Sequence, residues 1–237
     1  MPVPCDPQVL IENRLLLALP SEEYERLLPH LENVSLTFKE VLYGSREPMQ
    51  YVYFPNHGVV SLLTSLSDNT VTEVGLVGNE GMVGVPVFLG ADTTPFKAIV
   101  QLSGDAMRMK KDVFKASLNQ DTVLHFLLQR YTQALMIQIS QSAACNWHHS
   151  VEERCCRWLL MTHERAKTDQ FPLTQEFLSK MLAVRRATVT VVAGTLQKAG
   201  LIRYSRGQMT ILDRLGLEET TCECYMLVKQ EFDRLLG

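Results

Sequence analysis

A chain of 237 residues with 46% apolar side chains and a net charge of −3 is long and apolar enough for one large or two modest folded domains. No apolar run approaches the ~18 residues of a membrane span, and the N-terminus lacks the basic-then-apolar order of a signal peptide, so the expectation is a cytoplasmic protein without a membrane partner. The six cysteines, Cys5, Cys145, Cys155, Cys156, Cys222 and Cys224, are not spaced like a secreted disulfide framework, which predicts reduced thiols.

Near the start, Leu15 to Leu19 reads as an apolar helical turn stopped by Pro20. Ser21 is expected to cap a second helix whose first turn carries Glu22 and Glu23, where carboxylates complement the helix dipole. From about Glu32 to Lys110 the pattern changes to short apolar or alternating runs: Val34 to Phe38, Tyr51 to Phe54, Val59 to Thr64, Val71 to Val77, Ala98 to Leu102 and Ala106 to Met109. Turn chemistry separates them at Pro55-Asn56-His57-Gly58, Ser67-Asp68-Asn69, Gly78-Asn79-Glu80-Gly81 and Ser103-Gly104-Asp105. Many short strands at regular spacing predict a sandwich or jelly-roll barrel.

Beyond Asp112 the strand pattern stops, and a long helix is expected over about Thr122 to Ser142. Leu124, Leu128, Tyr131 and Leu135 recur on it at coiled-coil spacing, continued imperfectly by Gln138 and Ser142. This stripe is read as a dimer seam; the same periodicity would also suit a helix packed on its own barrel. The segment Cys145 to Ser150 is expected to connect to another amphipathic helix from Val151 to about Arg165, bearing Trp158, Leu159 and Leu160.

From Leu173 to Asp213 two helices, a tight turn and a hairpin follow one another. Thr174 is a good N-cap for a helix over about Gln175 to Leu182, with Leu178, Met181 and Leu182 on one face and Ser179 small enough for a close crossing. Ala183 and Val184 supply the turn. A second helix over about Arg186 to Ala199 places Val189, Val192 and Leu196 inward and leaves Arg186, Ala187, Thr190 and Val191 outward, on the face suited to a DNA major groove. Gly200 fits a helix C′ position, and Leu201 to Leu212 reads as a hairpin turning around Ser205-Arg206-Gly207-Gln208. Between Leu173 and Arg214 seven basic residues face two acidic ones, a local charge of +5 on a chain whose remainder carries −8. A basic island on an acidic protein is the footprint of phosphate contact.

This order resembles the Crp/Fnr superfamily of bacterial transcription regulators. The pieces that carry the resemblance are Tyr53-Phe54-Pro55, Val77 to Gly84, Leu173-Thr174-Gln175-Glu176, Val184-Arg185-Arg186 and Gly200-Leu201-Ile202. It implies an α+β chain: an N-terminal double-stranded β-helix (jelly-roll) similar to a cyclic-nucleotide-binding domain over 1–120, a dimerisation helix over 121–145, and a C-terminal winged helix-turn-helix over 146–237. It also implies a homodimer on a palindromic operator, with double-stranded DNA, a second copy of the chain and RNA polymerase as partners. The expected DNA-binding residues are Thr174, Gln175, Arg185, Arg186, Thr188, Thr190, Arg203 and Arg206, and the expected dimerisation residues Leu124, Leu128, Tyr131 and Leu135. Of these, Arg186 is placed to read guanine, while Thr174, Gln175, Thr188, Arg203 and Arg206 suit phosphates, which set register without specifying sequence.

The nucleotide chemistry of that superfamily is missing here. After Gly84 the chain reads Val85-Pro86-Val87-Phe88-Leu89-Gly90, without the acid that would hold a ribose, and Ala91 to Lys97 contains no arginine for a cyclic phosphate. Lys97 lacks the bidentate fork. The expectation is a barrel that does not bind cyclic AMP, whose effector is unidentified, and no cofactor.

Cys145, His148, His149, Cys155 and Cys156 lie close together in sequence, but adjacent cysteines on a helix point about 100° apart and do not readily share one ion. Cys222 and Cys224 are expected on a terminal helix, facing different ways. Structural packing, with no metal, is the expectation for all of them. A cupin-like metalloenzyme would need more histidines than His57 in the barrel, and no Ser-His-Asp set, P-loop or dinucleotide fingerprint supports catalysis. The remaining alternative is an interaction module whose barrel binds a protein or a small molecule other than a nucleotide.

Overall fold

The computed structural model describes residues 11–65, 71–118 and 120–237. Cys5 and the Ser67-Asp68-Asn69 turn lie outside the described residues.

The chain opens with α1 (Arg14–Leu17), α2 (Ser21–Leu27) and a short 3-10 turn, Leu28–His30. Asn13 caps α1, its side chain accepting from the amides of Leu15 and Leu16. Ser21 does not cap α2: Pro20 holds that position with extended geometry and Ser21 is the first helical residue. Proline has no N–H to satisfy there.

The sheet domain follows: β1 (Glu32–Leu36), β2 (Val41–Tyr43), β3 (Tyr51–Ser65), β4 (Val71–Val77), α3 (Val85–Phe88) and β5 (Lys97–Lys110). One antiparallel sheet has the order β1-β5-β3-β4, with β2 also paired to β5. Two of the expected turns are not turns. Pro55 to Gly58 lies inside β3 and Ser103 to Asp105 inside β5, so four expected strands are two long ones, paired from Tyr51 opposite Lys110 to Leu63 opposite Lys97. The register shifts around Pro55, His57, Val59 and Val60 are bulges, which bend a strand without ending it. Glycine is required where the bends cross: a Cβ on Gly104 would stand 2.2 Å from the His57 carbonyl oxygen, and Gly58 has φ 88°. Asp105 fastens the bend, accepting from Asn56 Nδ2 at 2.9 Å and lying 2.7 Å from His57 Nδ1. The interior is filled by Met49, Val52, Phe54, Met82, Met107 and Met109, each at most 1% exposed.

The short α4 (Lys111–Ser117) leads to α5 (Val123–His148), which runs beyond its expected end at Ser142. Its free N-terminal amides are satisfied twice: Thr122 Oγ1 accepts from His125, and the Glu23 carboxylate of α2 accepts from Val123 at 3.0 Å and Leu124 at 2.9 Å. The expected dimer stripe is consumed inside the chain. Leu124, Leu128, Tyr131 and Leu135 are at most 6% exposed, and Gln138 docks on β4, accepting from the Leu76 amide at 2.6 Å and donating to its carbonyl. Periodicity identifies a buried face correctly, but what covers it is the chain's own sheet and C-terminal helix.

His149 and Ser150 separate α5 from α6 (Val151–Ala166), which begins with a reciprocal capping box between Ser150 and Glu153. Then come β6 (Gln170–Pro172), α7 (Gln175–Met181), α8 (Arg186–Lys198), β7 (Ile202–Ser205), β8 (Gln208–Ile211), α9 (Arg214–Thr220) and α10 (Cys224–Leu236). The hairpin is part of a three-stranded sheet of order β6-β8-β7, since Gln170–Pro172 joins it as an edge strand. Helix α10 returns to lie along α5, where Phe232 meets Tyr131 edge-on with ring centroids 6.4 Å apart.

The two halves are locked by buried polar bonds. Arg165 of α6 pairs with Glu80 of the β4–α3 turn at 2.8 Å, both side chains less than 10% exposed. Trp158 donates to Glu73 at 2.7 Å, and Gln101 donates to Thr162 at 3.1 Å.

Candidate nucleic-acid interface

The helix-turn-helix is built by local chemistry. Thr174 Oγ1 accepts from the Phe177 amide at 3.1 Å, starting α7. Ala183 turns the chain with φ 52°, and the Val184 amide then donates to the Ser179 carbonyl at 2.9 Å. The Ser179 hydroxyl turns back onto the Glu176 carbonyl, so this small side chain leaves room for the crossing. Val189 and Leu196, at 1% exposure, face the core with Val192, Leu178, Met181 and Leu182, while Val191 is 69% exposed.

The outer face of α8 is the expected one: Arg186, Ala187, Thr190 and Val191 are all exposed, with Thr188 half-buried beside them. Arg185 is the N-cap residue and is exposed too. Thr190 is tied down, its hydroxyl 2.9 Å from Gln175 Oε1 and 3.1 Å from the Arg186 carbonyl. Gln175 and Thr190 thus form one polar unit joining the two helices, its partners set before any ligand arrives.

The wing turn has positive φ at both Arg206 (49°) and Gly207 (75°), the type I′ geometry that suits a two-residue hairpin. Its tip is anchored beside the helix-turn-helix, because the Gly207 carbonyl accepts from Leu173 at 2.8 Å and Tyr204 Oη donates to the Leu173 carbonyl at 3.0 Å. This brings the exposed Arg203 and Arg206 onto the element that carries Thr174.

The seven basic residues of the island are not equivalent. Lys180 is paired with Glu176 at 3.0 Å, and Arg214 is held by Glu164 and Glu218, away from the reading face. Among the described residues, Arg185, Arg186, Lys198, Arg203 and Arg206 have no carboxylate within 4.0 Å. Their charge is available to an external anion.

A cleft of about 730 Å³ separates the sheet domain from α7, with Lys39, Lys97, Lys180 and Arg185 on its walls around Phe177 and Ile99. Lys97 therefore faces this cleft at the start of β5, and not the barrel interior. In the loop before it, Asp92 bridges Lys111 and Lys115 of α4.

Cys155 and Cys156 are fully buried, and burial pushes the Cys156 thiol up to about 12, as suits packed, unreactive side chains. The other cysteines are differently placed. Cys145 Sγ lies 3.5 Å from Cys222 Sγ, and Cys224 Sγ lies 3.5 Å from His149 Nδ1. The S–H of Cys145 donated to Cys222 holds the Cys222 thiol well below its ordinary range. Cys222 precedes α10 and only Cys224 lies on it, so the two do not share a helix. Against the expectation that they face different ways, both thiols turn into one small buried cluster with Cys145.

Residues 153–220 match the family described as the Crp-like helix-turn-helix domain. No curated protein sequence matches the chain. Solved structures share its fold at low identity. FixK2 from Bradyrhizobium japonicum is 18% identical, covering 81% of this chain and 98% of that one with a TM-score of 0.69. A Crp-family transcriptional regulator from Thermus thermophilus is 17% identical, covering 79% and 95% with a TM-score of 0.66. CLP, a c-di-GMP responsive global regulator of Xanthomonas campestris, is 17% identical, covering 81% and 99% with a TM-score of 0.64. The protein thus carries a Crp-like helix-turn-helix DNA-binding domain on a chain with the fold of the Crp/Fnr transcription regulators.

Proposed function

We propose that this protein regulates transcription by binding a palindromic operator as a homodimer, reading bases with α8 and gripping phosphates with the wing. The observation that carries this reading is the set of exposed arginines without carboxylate partners, Arg185 and Arg186 on α8 and Arg203 and Arg206 on the wing, on one locally braced unit. Arg186 can pair with guanine O6 and N7, whereas Ala187 and Val191 can offer only methyl contact to thymine. Thr174, Gln175, Thr188, Arg203 and Arg206 serve as phosphate contacts, and Thr190 holds Gln175 in place.

The dimer seam in this reading is the open face of α5. Phe126, Gln129, Gln133, Met136, Ser140, Ala143 and Trp147 recur at steps of three and four, and all are exposed, Trp147 at 84%. That is close to the heptad spacing of a two-helix seam. Pairing two copies would place two α8 helices for successive half-sites.

The barrel is proposed to act without cyclic AMP. Its interior is filled by methionine and aromatic side chains, and the loop that would need an arginine has its acid, Asp92, committed to two lysines.

Selection of bound duplexes from a random pool, with and without cyclic AMP, tests the whole reading. Recovery of one palindrome equally under both conditions is expected. Enrichment only with the nucleotide would overturn the barrel assignment, and no enrichment with either would favour the interaction module.

A further inference from the structure

Where α10 begins against the end of α5, four potential ligands converge from segments distant in sequence. Cys145 lies in the last turn of α5 and His149 caps its end, while Cys222 precedes α10 and Cys224 is its first residue. One ligand atom from each lies within 4.8 Å of all the others. Cys145, Cys222 and Cys224 are at most 4% exposed and form their own small cluster, apart from the main core.

We propose that Cys145, His149, Cys222 and Cys224 form a closed, structural zinc site that ties α10 to the hinge between the two domains. The donor set is chemically apt, since Cys3His is a standard tetrahedral zinc set. With Zn–S of about 2.3 Å and Zn–N of about 2.0 Å, tetrahedral geometry separates neighbouring ligand atoms by roughly 3.5 Å for sulfur and nitrogen and roughly 3.8 Å for two sulfurs. Cys145 with Cys222, and Cys224 with His149, are both at 3.5 Å.

Two further features point to a metal and not to packed thiols. The groups behind the ligands are arranged as a metal requires: His149 turns Nδ1 to the cluster and Nε2 to Glu223 Oε2 at 3.2 Å, while Gln141 donates to Cys224 Sγ at 3.1 Å. A carboxylate behind a ligating histidine fixes its tautomer. The local charge also demands an anion. Arg154 and Arg157 are buried, each with an Nε lacking any hydrogen-bond partner. Among the described residues neither has a carboxylate within 4.0 Å, and both act electrostatically on Cys145. Zinc with three thiolates and a neutral imidazole carries −1, a charge that complements these two guanidiniums. The thiol protons leave to solvent as the metal binds.

The site would have a structural reach. Arg154, beside the cluster, donates to the Leu182 carbonyl in the helix-turn-helix turn. Metal at Cys145 and Cys222 therefore sets the position of α10 and, through Arg154, braces the turn into α8.

The test is metal content and cobalt spectroscopy on the full chain, purified reduced and without chelator. About one zinc per chain is expected for a single tetrahedral site, and Co(II) exchanged for it should give a thiolate-to-cobalt charge-transfer band with the intense visible bands of tetrahedral coordination. The double variant Cys222→Ser with Cys224→Ser should lose both signals, while Cys155→Ser, buried elsewhere, should keep them. Glu223→Gln should weaken zinc binding by about tenfold or more. Wild-type chain that holds no zinc and gives no charge-transfer band would overturn the proposal, as would a Cys145–Cys222 disulfide in its place, or a band surviving in the double variant.

Discussion

Trp158 of α6 donates its indole N–H to Glu73 of β4 at 2.7 Å, a bond that joins the helix-turn-helix half to the sheet domain where both partners are buried. Burial raises the Glu73 carboxyl to about 7, against the opposing effects of Ser61, Trp158, Arg157 and Arg165, and its second oxygen has no hydrogen-bond partner. A carboxyl raised on folding binds its proton more tightly in the folded state. Its contribution to stability is therefore complete below about pH 4.5 and is lost as pH rises through about 7. Glu73→Gln should remove that dependence. Thermal unfolding of wild type and variant between about pH 5 and about pH 8 should show a gap that moves in favour of the variant as pH rises; parallel curves would contradict the assignment.

The Arg165–Glu80 pair is another buried tie between the halves. Glu80→Ala would leave a buried guanidinium without its counter-charge, a change that typically costs about 3–5 kcal/mol. Chemical denaturation should register a loss of that order. A loss below about 1 kcal/mol, the range of exposed pairs, would mean that Arg165 reaches water when Glu80 is removed.

The α5 seam makes opposite predictions for its two faces. Met136→Asp with Phe126→Asp should give folded monomers by light scattering, because both side chains are exposed in the single chain. Leu128→Asp should instead unfold the sheet domain, since it places a charge at a fully buried position. A folded monomer from Leu128→Asp, or a persistent dimer from the first pair, would return the seam to the buried stripe.

Wing and helix arginines should separate by salt. Arg206→Ala should weaken binding nearly uniformly across sequences and lower the slope of log affinity against log salt by about 1, as expected for one phosphate contact. An unchanged slope would remove Arg206 from the backbone contacts.

The parts legible in the sequence are those built by neighbours in the chain. Thr174, Ser179, Gly200 and the Arg206-Gly207 turn do locally what their chemistry suggests, so the helix-turn-helix and wing are readable. Pro55 to Gly58 reads as a turn because a bulge and a turn call on the same residues, and only pairing across to Asp105 and Gly104 distinguishes them. The α5 stripe at Leu124, Leu128, Tyr131 and Leu135 is correctly apolar, but periodicity carries no information about whether a partner chain or α10 covers it. The meeting of Cys145 with Cys222 depends on α10 folding back along α5, across 77 residues of sequence. The available hint is the four-residue spacing of Cys145 and His149, which puts both on one helical face.

The most direct test of DNA reading by α8 compares wild type and Arg186→Ala on the selected palindrome and each of its single-base variants at fixed salt. The expected result is loss of about 1–3 kcal/mol of discrimination at one position in each half-site, the value of one bidentate guanine contact, with the other positions unchanged. A uniform loss over all sequences, or no change, would contradict it.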